Sequence, residues 1–236
     1  MHEFGLRALV VVTAMVSATC GAGPVVEAPV SDPKSASTAE PWRPLFDGRS
    51  LEGWRSFSSG SPPAGWRAID GMLVRDAAGG DILTVEEFTD FELRLQWKIA
   101  AGGNSGIFFH VTPAGAQVWE SGPEMQLLDN ARHVDGKEPR TSAGANYGLH
   151  APVRDVTRPV GEWNDVTLRV SGPHVEHWLN GVKVVEYDLW SPEWEQLVRR
   201  SKFAALPAYG RPHRGHIALQ DHGDPVWFRD IRIRPL

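Results

Sequence analysis

Between Phe91 and Ile99 apolar and polar residues change places at every step: Phe91, Leu93, Leu95, Trp97 and Ile99 alternate with Glu92, Arg94, Gln96 and Lys98. A two-residue period puts the two sets on opposite faces of an extended chain, so this stretch reads as a strand with a core side and a charged, solvated side. The same pattern returns at Val166–Val170 and Val175–Leu179. Asn180 and Gly181, which both accept positive φ, then make a tight hairpin into Val182–Val185. Turns and short strands of this kind predict an all-β chain, an antiparallel sandwich. One segment breaks the pattern. Ser191 as N-cap, Pro192 in the first turn, Glu193 and Glu195 behind it and the apolar Trp194, Leu197 and Val198 predict a short helix, with Arg199, Arg200 and Lys202 toward its C-terminal end. Its expected task is to cover a sheet edge.

The chain of 236 residues is 42% hydrophobic with ten Trp, enough for one sizeable domain. A folded portion of this size buries roughly 70% of its unfolded surface and needs neither disulfide nor structural metal. The single cysteine, Cys20, could not close an internal bridge. A net charge of −5 disfavours nucleic acid and acidic lipid as partners, because phosphate binding needs concentrated positive charge. The N-terminus explains Cys20. Residues 8–16 form an unbroken apolar or small run after Arg7, too short for a permanent membrane span, and residues 1–20 read as a secretory signal. Ser17-Ala18-Thr19-Cys20-Gly21 resembles a bacterial lipoprotein cleavage site with Cys20 as the lipidated residue, simple cleavage nearby being the alternative. Residues 21–41, with four prolines and no aromatic residue, read as a disordered linker, and the folded domain is expected over 42–236. The expected location is therefore export, to the periplasm or cell envelope as a lipoprotein or otherwise as a secreted protein.

Three stretches carry polar faces unlike plain solvent-exposed ones. In Pro123–Asp129, Met125 and Leu127 oppose Glu124 and Gln126, and a bulge near Leu127 and Leu128 is needed to turn Asp129 onto the same surface as Glu124. In Gly215–Gly223, Ile217 and Leu219 oppose His216, Ala218, Gln220 and His222. In Asn104–His110, Ile107 and Phe109 alternate with Phe108 and His110. His, Gln, Glu and Asp beside aromatics suit a sheet face that receives a polar ring-shaped ligand. A solvated edge strand is the plainer alternative.

From Trp42 to Leu236 the chain resembles the 3-keto-disaccharide hydrolase family, secreted bacterial proteins with a concanavalin A-like jelly roll. The resemblance lies in Phe46-Asp-Gly-Arg-Ser-Leu-Glu-Gly-Trp54, Asn104-Ser-Gly-Ile107, Glu124-Met-Gln-Leu-Leu-Asp129, Gly161-Glu-Trp-Asn164, Trp178-Leu-Asn-Gly181, Gly215-His-Ile-Ala-Leu-Gln220 with His222 and Gly223, and Phe228-Arg-Asp-Ile231. It implies a jelly-roll sandwich of two antiparallel sheets with a short helical insertion. It also implies cleavage of glycosides whose sugar has been oxidised to a ketone at carbon 3. His110 stands where many relatives carry Arg, which implies a substrate contact altered at that position; His133 and His150 are further imidazoles near the Glu124 region.

A ketone at carbon 3 acidifies the hydrogen on carbon 2. A base can then remove that proton, the carbon 1 substituent departs by elimination, and water adds back. Glu124, Asp129 and His222 are the acid and base candidates, with Asn104, Gln126 and Gln220 as binding groups or oxyanion donors and His110 and His150 as substrate contacts. No metal or cofactor is assigned, since no close ligand motif is present. Two alternatives stand beside elimination. Glu124-x-Gln126-x-x-Asp129 has the spacing of retaining glucanases on this scaffold, and jelly rolls also serve as non-catalytic carbohydrate-binding modules.

Overall fold

A computed structural model describes residues 41–113 and 115–236. The signal segment, Cys20 and the linker up to residue 40 lie outside them. Two antiparallel sheets form. One runs β11 (Val182–Asp188), β10 (His174–Leu179), β9 (Asn164–Ser171), β6 (Phe91–Ile99), β13 (Val226–Pro235), β4 (Met72–Arg75) and β3 (Trp66–Ile69), with the short β1 (Arg43–Pro44) also on β13. The other runs β2 (Trp54–Ser56), β5 (Ile82–Phe88), β12 (Gly215–Leu219), β7 (Asn104–Val111) and β8 (Glu124–Leu128). This is the expected sandwich. The five apolar residues of β6 are all buried, each large side chain contributing about 1.5–3 kcal/mol. The β10–β11 hairpin turns through Asn180 (φ 49°) and Gly181 (φ 79°), as the sequence requires.

The second sheet differs from the first in being covered on both faces. Every residue of β7, β8 and β12 is buried. Part of the outer cover is a small apolar cluster of Leu83, Phe108, Val111, Val118 and Ala218 with Phe57 packed on it. The rest includes the segment after β11, containing α1 (Pro192–Arg199) and a one-turn 3₁₀ segment at Lys202–Ala205. Ser191 caps α1 by accepting from the Trp194 amide at 3.1 Å. A column of near-parallel rings docks the insertion: His150, Tyr187, Trp194, Tyr209 and Phe203 follow one another at centroid distances of 4.7, 5.5, 5.9 and 3.9 Å, with interplanar angles of no more than 10°. The insertion thus does more than shield an edge, since it carries Lys202 and Phe203 to the sheet's outer face.

The sheet also contains a bulge, though not in β8. Between His216 and Ala218 of β12 the facing positions on β7 are Val111 and Phe108, so β7 holds one residue more than its partner. His110 takes the left-handed conformation there (φ 51°), which histidine tolerates better than a β-branched residue. Gly215 lies directly against this kink: a Cβ would stand 2.5 Å from the His110 carbonyl carbon and 2.6 Å from the Val111 oxygen, both backbone atoms. Gly215→Ala is therefore expected to lower stability by about 1–3 kcal/mol, read as a drop in the urea midpoint at unchanged m-value.

Candidate active site

Strand β8 pairs with β7 in an unbroken register, Phe108 opposite Glu124, Gly106 opposite Gln126 and Asn104 opposite Leu128. Met125 and Leu127 go to the core, so Glu124 and Gln126 face outward. The Glu124 side chain lies across Gly106, where a Cβ would stand 2.2 Å from its Oε1. Only a residue without a side chain can sit beneath it, which gives the glycine of Asn104-Ser-Gly106 a physical reason. Ala218 on β12 faces Phe108 from the other side, and Gln220 continues that strand, its amide bonded to the Gly106 carbonyl at 3.0 Å.

Asn104, Glu124, Gln126 and Gln220 line a cavity of about 420 Å³ together with Trp119, Tyr147, Lys202, Phe203, Leu206 and His222. Glu124 is the only carboxylate among the described lining residues. Burial pushes its pKa up to about 8; the Lys202 ammonium opposes this, while Asp81 and Asp135 add to it. Its carboxyl makes no hydrogen bond among the described residues. Lys202 is displaced the other way: burial lowers its pKa, against the pull of Glu124 and Asp135. The two groups thus face one cavity, each driven toward its neutral form, without a direct ion pair among the described residues. Lys202 Nζ sits 4.1 Å from the Tyr147 ring centroid. Tyr147 in turn donates to Asp135 at 3.2 Å, and burial followed by that carboxylate holds its phenol up to about 12, so it stays a donor.

Of the three amide side chains, only that of Gln126 donates a hydrogen bond among the described residues. Gln126 Nε2 donates to the Thr141 carbonyl at 3.2 Å, which fixes the amide's orientation and leaves Oε1 buried without a partner. Asn104 Oδ1 and Gln220 Oε1 are likewise buried and unpartnered. All three residues line one cavity, and each buried oxygen left without a donor costs about 1–3 kcal/mol. The segment that follows Gln220 is pinned by Asp221, which pairs with Arg75 at 2.6 Å, both side chains buried, and accepts from the Gly79, Gly80 and Gly223 amides. His222 projects from this anchored turn at the exposed rim, 6.0 Å between ring centroids from His133.

Other expected site residues lie elsewhere. No bulge shifts β8, so Asp129 stays on the opposite parity from Glu124; its carboxylate accepts from Gly102 N at 2.7 Å and Ala131 N at 3.2 Å and lines a separate cavity with Trp97 and Asn164. His110 is turned by the β7 bulge into contact with Phe91 and Phe109, with Nε2 at 2.8 Å from the Thr89 carbonyl. His150 belongs to the ring column and holds Asn146 at 3.0 Å. Neither lines the Glu124 cavity. Lys202, Tyr147 and Trp119 were not foreseen. Lys202 read as a helix-end cation, and only the distance from sheet to insertion in three dimensions reveals it.

Residues 41–234 match the model of the 3-keto-alpha-glucoside-1,2-lyase-like domain. The chain belongs to this family. The 3-keto-disaccharide hydrolase of Bacteroides thetaiotaomicron is 33% identical over 224 residues, covering 81% of this chain and 77% of that protein. A crystal structure of a candidate glycosyl hydrolase from Parabacteroides distasonis is 34% identical with a TM-score of 0.78, covering 83% of this chain and 94% of the other. A Bacillus subtilis protein with a galectin-like fold, 13% identical at a TM-score of 0.53 and covering 84% and 96%, shares the fold alone. The family is one of carbohydrate-cleaving proteins on a jelly-roll scaffold.

In this family member the raised carboxyl makes stability depend on pH. A group whose folded pKa lies above its unfolded value of 4.5 binds its proton more tightly in the folded state, so the stabilisation is complete at low pH and is lost as pH rises toward and through about 8. Wild-type Tm should fall between pH 6 and pH 9. Glu124→Gln should remove that fall, the difference between the two proteins changing by ~4 °C or more across the range in differential scanning calorimetry.

Proposed function

We propose that the protein cleaves 3-keto-glycosides by elimination across carbons 1 and 2, followed by hydration. The observation that carries this reading is a single carboxyl among the described lining residues, sharing with Lys202 a cavity lined also by the amide side chains of Asn104, Gln126 and Gln220. Hydrolysis of an unmodified glycoside by either common route uses two carboxyl groups across the scissile bond. Among the described lining residues one is available, and Asp129 is committed to backbone amides in a different cavity. Elimination needs one strong base and one cation for the enolate oxygen, which is what Glu124 and Lys202 supply. The 1,2-lyase in the family's description and the 3-keto-disaccharide substrate in the relative's name support the same chemistry.

In the proposed sequence the Glu124 carboxylate takes the carbon 2 proton. The electron pair is drawn toward the carbon 3 oxygen, where the Lys202 ammonium stabilises the developing charge. The pair then forms the carbon 1–carbon 2 double bond as the glycosidic oxygen leaves, taking a proton from His222 at the rim. Water adds at carbon 1, giving its spare proton to His222 and so restoring it, and Glu124, its proton exchanged with solvent, protonates carbon 2. Gln126, Asn104 and Gln220 accept from sugar hydroxyls and fix the ring. A base with a pKa of about 8 is strong enough to attack a ketone's neighbouring C–H, yet is released within the working pH range.

Turnover of a 3-keto glycoside in heavy water should place deuterium at carbon 2 of the product above an enzyme-free control, with kcat/KM rising from acidic pH toward about pH 8 as Glu124 ionises. Glu124→Gln should cost roughly two to four orders of magnitude and Lys202→Met roughly two to three. Retention of the carbon 2 hydrogen together with equal cleavage of the unoxidised glycoside would sink the elimination.

Export is proposed on the sequence of residues 1–20, with Cys20 as the lipid attachment point. Cys20→Ser should move the protein from the membrane fraction to the soluble one without changing the Tm of the domain. Wild-type protein already soluble after export would favour simple cleavage.

A further inference from the structure

Trp119 is a large aromatic left in the open. It is 40% exposed, whereas the indoles of Trp54, Trp66, Trp97 and Trp194 are at most 2% exposed. The fold does not expose it by neglect. Its neighbour Val118 is fully buried in the small apolar cluster on the sheet's outer face, which fixes the one-turn 3₁₀ segment Val118–Glu120. Ser121 ties the following residue down: its hydroxyl accepts from the Thr112 amide at 3.0 Å and donates to the Thr112 carbonyl at 3.3 Å, and its carbonyl accepts from the Gly210 amide at 2.8 Å. With Val118 and Ser121 anchored on either side, the indole is held outward on a rigid turn. It has no stacking or cation partner among the described residues, whereas Trp66, Trp190 and Trp163 each have one. What it does face is the cavity that holds Glu124, Gln126 and His222.

We infer that Trp119 is the platform for the leaving group, and that the preferred substrates carry a ring, with a flat C–H or π face, as the carbon 1 substituent. The inference rests on the elimination reading for its orientation. Glu124 over Gly106, Gln126 and Asn104 form the buried side of the cavity, so the oxidised sugar lies there and its carbon 1 substituent is directed to the open side. The open side is where the exposed indole and the exposed His222 stand. An indole adds ring-stacking affinity that a small alkyl leaving group cannot collect. A cavity of about 420 Å³ falls within the range of sites that take a ligand larger than one small fragment.

The test separates the platform from the chemistry by measuring binding in a Glu124→Gln background. Calorimetric titration of that protein with a 3-keto disaccharide and with the methyl 3-keto glycoside of the same oxidised sugar gives a preference ratio, and the measurement is repeated after Trp119→Ala and Trp119→Phe. The ratio should favour the disaccharide, fall about 3- to 10-fold in the Ala variant and recover in part with Phe. An aryl 3-keto glycoside should behave as the disaccharide does. A ratio that does not depend on residue 119, or the absence of binding by either ligand, overturns the platform. Wild-type protein that turns over neither substrate while the binding contrast persists refutes the elimination reading and leaves the platform standing.

Discussion

A sheet covered on both faces can keep polar side chains only where the cover has a gap, because each buried group must otherwise find a partner or forfeit its hydration. In the five-stranded sheet that constraint decides where the site lies. Over one part of the outer face Phe57 and Val118 close down on Leu83, Phe108 and Ala218, and the neighbouring His216 is partnered by Arg55 at 3.0 Å. Over β8 and the ends of β7 and β12 the cover is the insertion after β11, which stops at Phe203 and Leu206 and leaves a hollow. Glu124, Gln126, Asn104 and Gln220 all border that hollow. Their unmet hydrogen-bonding capacity is tolerated because the rest of the domain, with its continuous apolar core, supplies the stability.

The strands of the first sheet were legible because one side faces water and the alternation is written in charges; the same holds for the Asn180–Gly181 hairpin and the capped helix. Parity also grouped Glu124, Gln126, Gln220 and His222 correctly, since those positions depend only on strand direction. What it could not supply was any feature set by the cover. Lys202 lies 78 residues from Glu124 in sequence and reaches it through a docked insertion, a relation no local pattern encodes. Asp129 was misjudged for a physical reason: bringing it beside Glu124 required an irregular β8, whereas the irregularity lies in β7, at His110. A bulge there turns His110 away from the site by the same mechanism that would have turned Asp129 toward it.

Charge is handled differently on the two sides of the cavity. Arg75 and Asp221 are buried and paired, and Asp221 also collects three backbone amides, so its carboxyl stays below the usual range even though burial, the largest influence on it, pushes the other way. Nearby Asp81 has one backbone amide and no cation, and burial raises it to about 6. Glu124, with no backbone amide and with Lys202 opposing burial without a direct ion pair among the described residues, is raised further, to about 8. Across the three carboxyls deeper burial and a shrinking supply of donors act together to raise proton affinity. Adding a single donor beside Glu124 would therefore weaken the base it is proposed to be.

The ring column that docks the insertion has a consequence for how the site responds to its surroundings. Lys202 is held by Tyr147 on one side and by the segment of Phe203, the last ring of the column, on the other. Stacked, buried rings are held by dispersion and exclusion of water, which mobile ions do not screen, in contrast to the exposed ion pairs that decorate this surface. For a protein proposed to work outside the cytoplasm, where ionic strength follows the environment, the cation opposite Glu124 keeps its position when the salt around it changes.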